Sequence, residues 1–142
     1  MLDGDVLWRP EFARPEDDFR DFFETWLRLA KNISQSGRPV VIFLAGATPE
    51  NVEPCVERRY FSQVHYLALV SDEQVLAERL QRRPPWRESS DERFIAGQLR
   101  FNRWLTQRGS RASPPIELLE TSGESVAKSV EKVAGWIREK IL

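Results

Sequence analysis

The chain has 142 residues, of which 41% are hydrophobic and 30% are charged, and this composition is typical of one globular domain spanning residues 1–142. Its formal net charge of −1 argues against a general attraction to nucleic acid or anionic lipid. A single cysteine and a single histidine, Cys55 and His65, exclude an intrachain disulfide and a histidine-cluster metal site, and argue against a Ser-His-Asp triad.

The predicted elements alternate between strands and helices. The first half contains a strand end at MLDGD (1–5), a helix at RPEDDFRDFFETWLRLAKNI (14–33), a buried strand at PVVIFLAG (39–46) and a proline-rich loop at 47–61. The second half contains a buried strand at VHYLALV (64–70), helices at 71–83 and 91–107, a strand at IELLE (116–120), a turn at 121–123 and an amphipathic helix at 124–141. Ser71 with Gln74, and Ser89 with Glu92, have the spacing of capping boxes.

This order of elements predicts an α/β fold, a three-layer αβα sandwich around a mostly parallel sheet. Ligands of such sheets bind beyond the carboxyl ends of the strands. The places where we expect function are therefore four strand ends, at Asp3–Asp5, Ala45–Thr48, Ser71–Asp72 and Thr121–Gly123.

Two carboxylates, Asp3 and Asp5, flank a glycine at the first of these ends. In an extended strand they project to the same side, where one could orient a substrate hydroxyl and the other could hold a water of Mg²⁺. The alternative is a solvated DGD turn, which the spacing alone favours.

Arginines are concentrated in RLQRRPPWR, at residues 79–87. Residues 77–111 contain nine arginines and four acids, whereas residues 1–26 contain eight acids and three arginines. Arg79, Arg82 and Arg83 share a helical face, and with Arg87 they could neutralise a transferring phosphoryl group. The alternative is a solvated helix surface with ion pairs such as Glu78–Arg82.

The sequence resembles the P-loop small-molecule kinases, a superfamily that includes gluconate kinase, adenylylsulfate kinase and the nucleotide kinases. The resemblance covers nearly the whole chain and rests on LDGD, PVVIFLAG, VHYLALV, the RLQRRPPWR segment and LLETSGES in this order. It implies ATP and Mg²⁺ as cofactors and a small hydroxylated or nucleotide substrate. It also implies that Asp5 contacts the phosphoryl acceptor, that Arg9 lies on the substrate side, that segment 79–93 is a mobile lid, and that Thr121 and Ser122 line the adenine.

The chain departs from this family in one defining motif. It contains no G-x-x-x-x-G-K-[ST] phosphate-binding loop, and none of its seven glycines is followed directly by a lysine. We therefore expect that the chain lacks the family's first strand and phosphate-binding loop and that its kinase activity is weak or absent. In the family the first strand lies between the strands that correspond to PVVIFLAG and VHYLALV. Its loss predicts that these two pair directly, leave an open gap, or accept a strand from another chain, so self-association through an exposed sheet edge is expected.

The remaining interpretations leave function open. Arg58 and Arg59, beside Tyr60, could bind an anionic substrate or lie on the surface, while His65 and Cys55 are interpreted as structural and Trp86 as a possible cover for a base. A non-catalytic binding or regulatory module is the alternative to a kinase-like enzyme, and an unrelated α/β enzyme is a third reading. Because no apolar run approaches the roughly 18 residues of a membrane span and no signal-peptide layout is present, we expect a cytoplasmic protein without membrane or nucleic-acid partners.

Overall fold

The computed structural model describes residues 1–87 and 89–141. The chain forms two compact units, Met1–Val64 and His65–Leu142, each of which has its own short parallel sheet. The fold is mixed α/β with five helices within the described residues, which agrees with the predicted class at this coarser level. In this part of the chain no helix has both the length and the apolar character needed to cross a membrane.

The first unit is organised by helix α1, Arg20–Ser34, and by strands β1, Leu2–Asp3, and β2, Ile42–Phe43. The two strands are parallel, with Leu2 opposite Ile42 and Asp3 opposite Phe43. Helix α2, Pro49–Val52, and a 3-10 turn at Val56–Tyr60 follow. One face of α1 forms the core of this unit, through Phe22, Phe23, Trp26, Leu27 and Ala30.

Helix α1 begins later than the sequence predicts. Pro15–Asp17 forms a separate 3-10 turn, and Asp18 and Phe19 adopt left-handed backbone conformations with φ of 56° and 58°. Two consecutive residues at positive φ cannot continue a right-handed helix, so the helix starts only at Arg20. The predicted strand at 39–46 is likewise shorter, because only Ile42 and Phe43 pair with β1.

The second unit contains strands β3, Tyr66–Val70, and β4, Ile116–Glu120, paired in parallel over five residues. Helices α3, Glu73–Gln81, and α4, Glu92–Arg108, connect them, and helix α5, Val126–Ile141, follows β4. A buried cluster joins the sheet to α4 through Val70, Leu105 and Ile116. The predicted order of elements in this unit is therefore confirmed.

The predicted caps of α3 and α4 are wrong in detail. Asp72, rather than Ser71, precedes α3, and no side chain caps that helix. Asp91, rather than Ser89, caps α4, because its carboxylate accepts the N–H groups of Arg93 and Phe94. A capping box does occur within the proline-rich segment 47–61, where Thr48 and Asn51 flank the start of α2.

Helix α5 is less covered than its apolar pattern predicts. None of its described residues is buried, and the side chains of Val126 and Val130 are 82% and 59% exposed. Its second half does contact the sheet, where the Lys140 Nζ atom lies 2.8 Å from a carboxylate oxygen of Glu117. The apolar face of its first half is left open to solvent.

Candidate functional site

The glycine between the two N-terminal aspartates is required by packing. A Cβ atom at Gly4 would lie 2.5 Å from Leu44 Cδ1 and 2.8 Å from the carbonyl oxygen of Phe43. The indole N–H of the buried Trp26 also donates to the Gly4 carbonyl, at 3.1 Å. The LDGD segment is therefore pressed against the strand that follows α1, and only a residue without a side chain fits there.

Asp3 and Asp5 flank this contact, but the extended geometry assumed from the sequence holds only as far as Asp3. Residues Gly4–Leu7 form a 3-10 turn in which Asp3 Oδ1 accepts the backbone N–H of Asp5, at 3.0 Å. This is the local geometry of the turn that the sequence offered as an alternative. Both aspartates and Arg9 are exposed to solvent, so their charges are accessible to a ligand.

The two arginines of the 3-10 turn Val56–Tyr60 differ in their contacts. Arg58 forms an ion pair with Glu53, at 2.9 Å, and donates to the carbonyl of Phe61, at 2.6 Å. Arg59 is exposed, donates to the hydroxyl of Tyr60 at 3.0 Å, and lies with its guanidinium 4.9 Å from the centre of that ring. Arg58 therefore holds the turn together, and Arg59 is the arginine of this pair that a substrate could reach.

A buried carboxylate, Glu57, ties this turn to α1. Its two oxygens accept hydrogen bonds from Lys31, at 2.9 Å, and from Arg28, at 3.2 Å. The hydrogen bond from Lys31 is the main reason that the pKa of Glu57 lies below its usual value. The carboxylate of Glu24, also on α1, accepts the backbone N–H groups of Val56 and Glu57. Side chains of α1 therefore bind both the backbone of the turn and the Glu57 side chain.

At the carboxyl ends of β3 and β4, Arg79 organises the loop that follows β4. Its guanidinium donates to Thr121 Oγ1 at 3.0 Å, to the Thr121 carbonyl at 2.6 Å and to the Ser122 carbonyl at 3.5 Å. The buried Thr121 hydroxyl in turn donates to the carbonyl of Val70, at 3.1 Å. Arg79 thus joins α3 to both strand ends.

Ser122 connects the two loops directly. Its Oγ accepts the backbone N–H of Asp72, at 2.7 Å, while its own N–H donates to a carboxylate oxygen of Glu120, also at 2.7 Å. The Ser122 hydroxyl hydrogen-bonds to the same carboxylate, which lowers the pKa of Glu120. The predicted pair Thr121 and Ser122 is therefore part of an ordered, hydrogen-bonded turn.

Asn102 is a site residue that the sequence analysis did not single out. It is buried on α4, where its amide oxygen accepts the N–H of Ser71 at 3.2 Å and its amide nitrogen donates to the Ser71 carbonyl at 2.8 Å. The signal was present in the sequence, because Asn102 is a polar residue on the apolar face that carries Ile95 and Leu105. A buried amide on such a face needs partners, and the end of β3 supplies them.

The predicted helical face extends from Arg79 only as far as Arg82. Helix α3 ends at Gln81, Arg82 is its C-cap with helical backbone angles and an N–H that donates to the Glu78 carbonyl, and Arg83 lies beyond it. Arg82 lies 4.0 Å from Glu78, as the solvated alternative predicted, and is 83% exposed at its side chain. The Arg87 guanidinium lies 5.1 Å from the ring of the exposed Trp86. Residue 88, inside the predicted lid segment 79–93, lies outside the described residues.

The remaining single residues have structural surroundings. Cys55 is buried, its thiol donates to the Asn51 carbonyl at 3.2 Å, and burial raises its pKa to about 11. A thiol with this pKa is a poor nucleophile near neutral pH. His65 is exposed and directly precedes β3, with its ring edge-on to Trp136 at 6.4 Å between centroids.

The fit of these residues to Mg²⁺ and ATP is incomplete. Among residues 1–87 and 89–141, no group of three or more His, Cys, Asp or Glu side chains is placed to hold a metal ion. A Mg²⁺ ion bound to phosphate needs only one or two carboxylates, and Asp3 has one oxygen that the Asp5 N–H does not occupy. The triphosphate fits less well, because the sequence has no Gly-Lys pair.

Comparisons with known proteins identify no relative. No protein-family model matches the sequence, and no curated protein or solved structure is significantly similar to it. The resemblance to P-loop kinases therefore stays a prediction that rests on the order of the motifs in this chain.

Proposed function

We propose that this chain is an ATP-dependent phosphotransferase-like protein, with a three-layer P-loop-kinase-like fold, for a small hydroxylated or nucleotide substrate. The observation that carries the proposal is the ordered polar turn at the carboxyl ends of β3 and β4, where the Arg79 guanidinium donates to Thr121 and to Ser122. Ligands of parallel α/β sheets bind at such ends. In this proposal Thr121 and Ser122 lie beside the adenine.

The other roles follow from exposure and charge. Asp5 is an exposed carboxylate that could orient an acceptor hydroxyl, and Asp3 could bind Mg²⁺ through its remaining oxygen. Four exposed arginines could neutralise phosphate or substrate charge, namely Arg82, Arg83, Arg87 and Arg59. Arg9 is assigned to the substrate side, and Arg58 is assigned a supporting role because its guanidinium is already paired.

Binding of the triphosphate is expected to be weak. A phosphate-binding loop supplies several backbone N–H groups and a lysine, and the 142 residues contain no such motif. Arginine side chains alone are flexible and exposed, so they lose entropy on binding and are screened by salt. Turnover by this chain alone should accordingly be slow or undetectable.

One observation favours a second function, a non-catalytic binding or regulatory module. Arg79 is the one arginine of the predicted catalytic set that lies within a helix. Its guanidinium donates hydrogen bonds to Thr121 and Ser122 of the same chain. A module of this kind would keep the ordered turn for binding and would not need Asp5 for chemistry.

Calorimetric titration with Mg-ATP, combined with an assay of phosphoryl transfer to nucleosides and sugars, tests the proposal. We expect weak binding that an Arg83→Gln, Arg87→Gln double variant weakens further, while Arg111→Gln, a matched change at another exposed arginine, leaves it unchanged. Asp5→Asn should abolish any transfer and preserve binding. Slow transfer that is lost in Asp5→Asn would support the phosphotransferase over the regulatory module, and absence of binding would refute both functions.

A further inference from the structure

Within residues 1–87 and 89–141, one edge of β3 has no strand partner, and the hydrogen bonds between β3 and β4 show which residues face that edge. The N–H of Thr121 donates to the carbonyl of Val70, at 2.9 Å, so the backbone groups of Val70 point toward β4. Backbone groups of successive strand residues point to opposite edges of the strand. The N–H and C=O groups of Leu67 and Leu69 therefore point away from β4.

The open edge has a defined length. Ser71 also points away from β4, but both of its backbone groups are held by the Asn102 amide. Leu67 and Leu69 have no equivalent partner for their outward groups within the described part of the chain. The edge is thus closed at its carboxyl end by a side chain and is open over the two leucines before it.

This edge also lacks the features that protect natural edges from pairing. Protected edges carry lysine, proline, bulges or inward charges, whereas Tyr66–Val70 reads YLALV, without a charged residue or proline. The strand on the other side, β4, carries Glu117 and Glu120. The Leu69 side chain is 54% exposed, which is unusual for a parallel strand, because such strands are normally covered on both faces.

We propose that β3 pairs through this edge with β3 of a second copy of the chain, antiparallel and with Ala68 on the twofold axis. In this register Leu67 of one copy lies opposite Leu69 of the other, and each such pair exchanges two N–H···O=C bonds. All outward groups of both leucines are then satisfied in both copies. A register shifted by two residues in one direction would place a leucine opposite Ser71, whose backbone groups are already bonded.

The side chains suit the same arrangement. Ala68 meets its own copy at the closest spacing of an antiparallel pair, about 4.5 Å between Cα atoms, where a small side chain is favourable. The leucines of both copies gather on the face opposite the core cluster of Val70, Leu105 and Ile116. Because no residue of Tyr66–Val70 is charged, no like charges meet across the axis.

The interface is small, so the dimer is expected to be reversible. Pairing over a five-residue strand buries less than the ~1,200 Å² of a standard interface. The first half of α5 adds apolar surface on the same side of the sheet, since α5 contacts Glu117 on that face and exposes Val126 and Val130. We expect a dissociation constant on the order of tens of micromolar.

Amide hydrogen exchange measured by NMR at protein concentrations below and above this constant tests the proposal residue by residue. The amides of Leu67 and Leu69 should exchange rapidly in dilute protein and become at least tenfold slower in concentrated protein. The amides of Ala68 and Val70, which point toward β4, should be protected at both concentrations. Sedimentation velocity over the same range should show a monomer–dimer equilibrium.

Two variants distinguish loss of the dimer from loss of the folded monomer. Leu69→Pro removes an N–H that makes no bond to β4, so the dimer should be lost while the monomer stays folded. Leu69→Lys places a charge at the edge and should also abolish dimerisation. Val56→Lys, at a side chain that is 57% exposed in the first unit, is the matched control and should dimerise normally.

Three results would overturn the proposal. One is a protein that stays monomeric throughout the concentration range, and another is a dimer that both Leu69 variants retain. The third is protection of Leu67 and Leu69 in the dilute monomer, which would mean that residues of the same chain cover the edge.

Discussion

Replacing Gly4 by alanine tests whether the LDGD segment packs as closely as the structure shows. The added Cβ would meet Leu44 Cδ1 at 2.5 Å and the Phe43 carbonyl oxygen at 2.8 Å. The leucine methyl can rotate away, but the carbonyl belongs to β2 and moves only with the strand. We therefore expect Gly4→Ala to force β1 and β2 apart.

The expected loss of stability has two parts, the steric overlap of the added Cβ and a weakened hydrogen bond. Overpacking of this kind costs about 1–3 kcal/mol. Displacement of the segment would also weaken the hydrogen bond from the Trp26 indole to the Gly4 carbonyl, which contributes about 1 kcal/mol. Together the expected destabilisation is roughly 2–4 kcal/mol, which corresponds to a fall in Tm of roughly 6–14 °C for a chain of this size.

Urea denaturation followed by circular dichroism and by tryptophan fluorescence measures the effect. Gly135→Ala is the matched control, because a Cβ there meets no atom within 4 Å and the residue lies inside α5. Alanine is a better helix former than glycine, so this variant should gain about 0.5–1 kcal/mol. If Gly4→Ala were as stable as the parent protein or more stable, the close approach of β1 to β2 would be refuted.

Two further predictions concern buried groups of the first unit. Because the pKa of Glu57 is lowered in the folded state, its contribution to stability is complete above the unfolded value of about 4.3 and is lost as the pH falls through the folded value. Glu57→Gln should therefore destabilise the protein at pH 7 but not in strong acid, unlike the exposed control Glu11→Gln, and an equal loss at both pH values would contradict this. The Cys55 thiol, with a pKa of about 11, should react with iodoacetamide at pH 8 roughly 100-fold more slowly in folded than in unfolded protein, and equal rates would show that it is not buried.

The sequence predicted the elements of the second unit well, because their signals are local. The β-branched and apolar run of β3 and the apolar spacing of α4 are properties of neighbouring residues. The late start of α1 also has a local cause, but the sequence does not signal it. The left-handed conformations of Asp18 and Phe19 have no glycine to signal them.

The roles of individual site residues could be predicted less well. Arg79 was grouped with Arg82 and Arg83 by spacing alone, whereas its actual acceptors, Thr121 and Ser122, lie about forty residues further along the chain. Asn102 and Ser71 are separated by 31 residues in the sequence. Hydrogen bonds between such distant residues depend on how strands and helices pack, which periodicity does not encode.

By itself, the sequence determined which segments are helical or extended and where the charges lie, because propensity and periodicity act over a few residues. Tertiary structure alone decided that Gly4 must be glycine, that Glu57 is buried between two cations, and that the outward amides of Leu67 and Leu69 have no partner in the described chain. Each of these facts arises where two distant segments meet or fail to meet, and the free energy of such contacts depends on atoms that are adjacent only after folding.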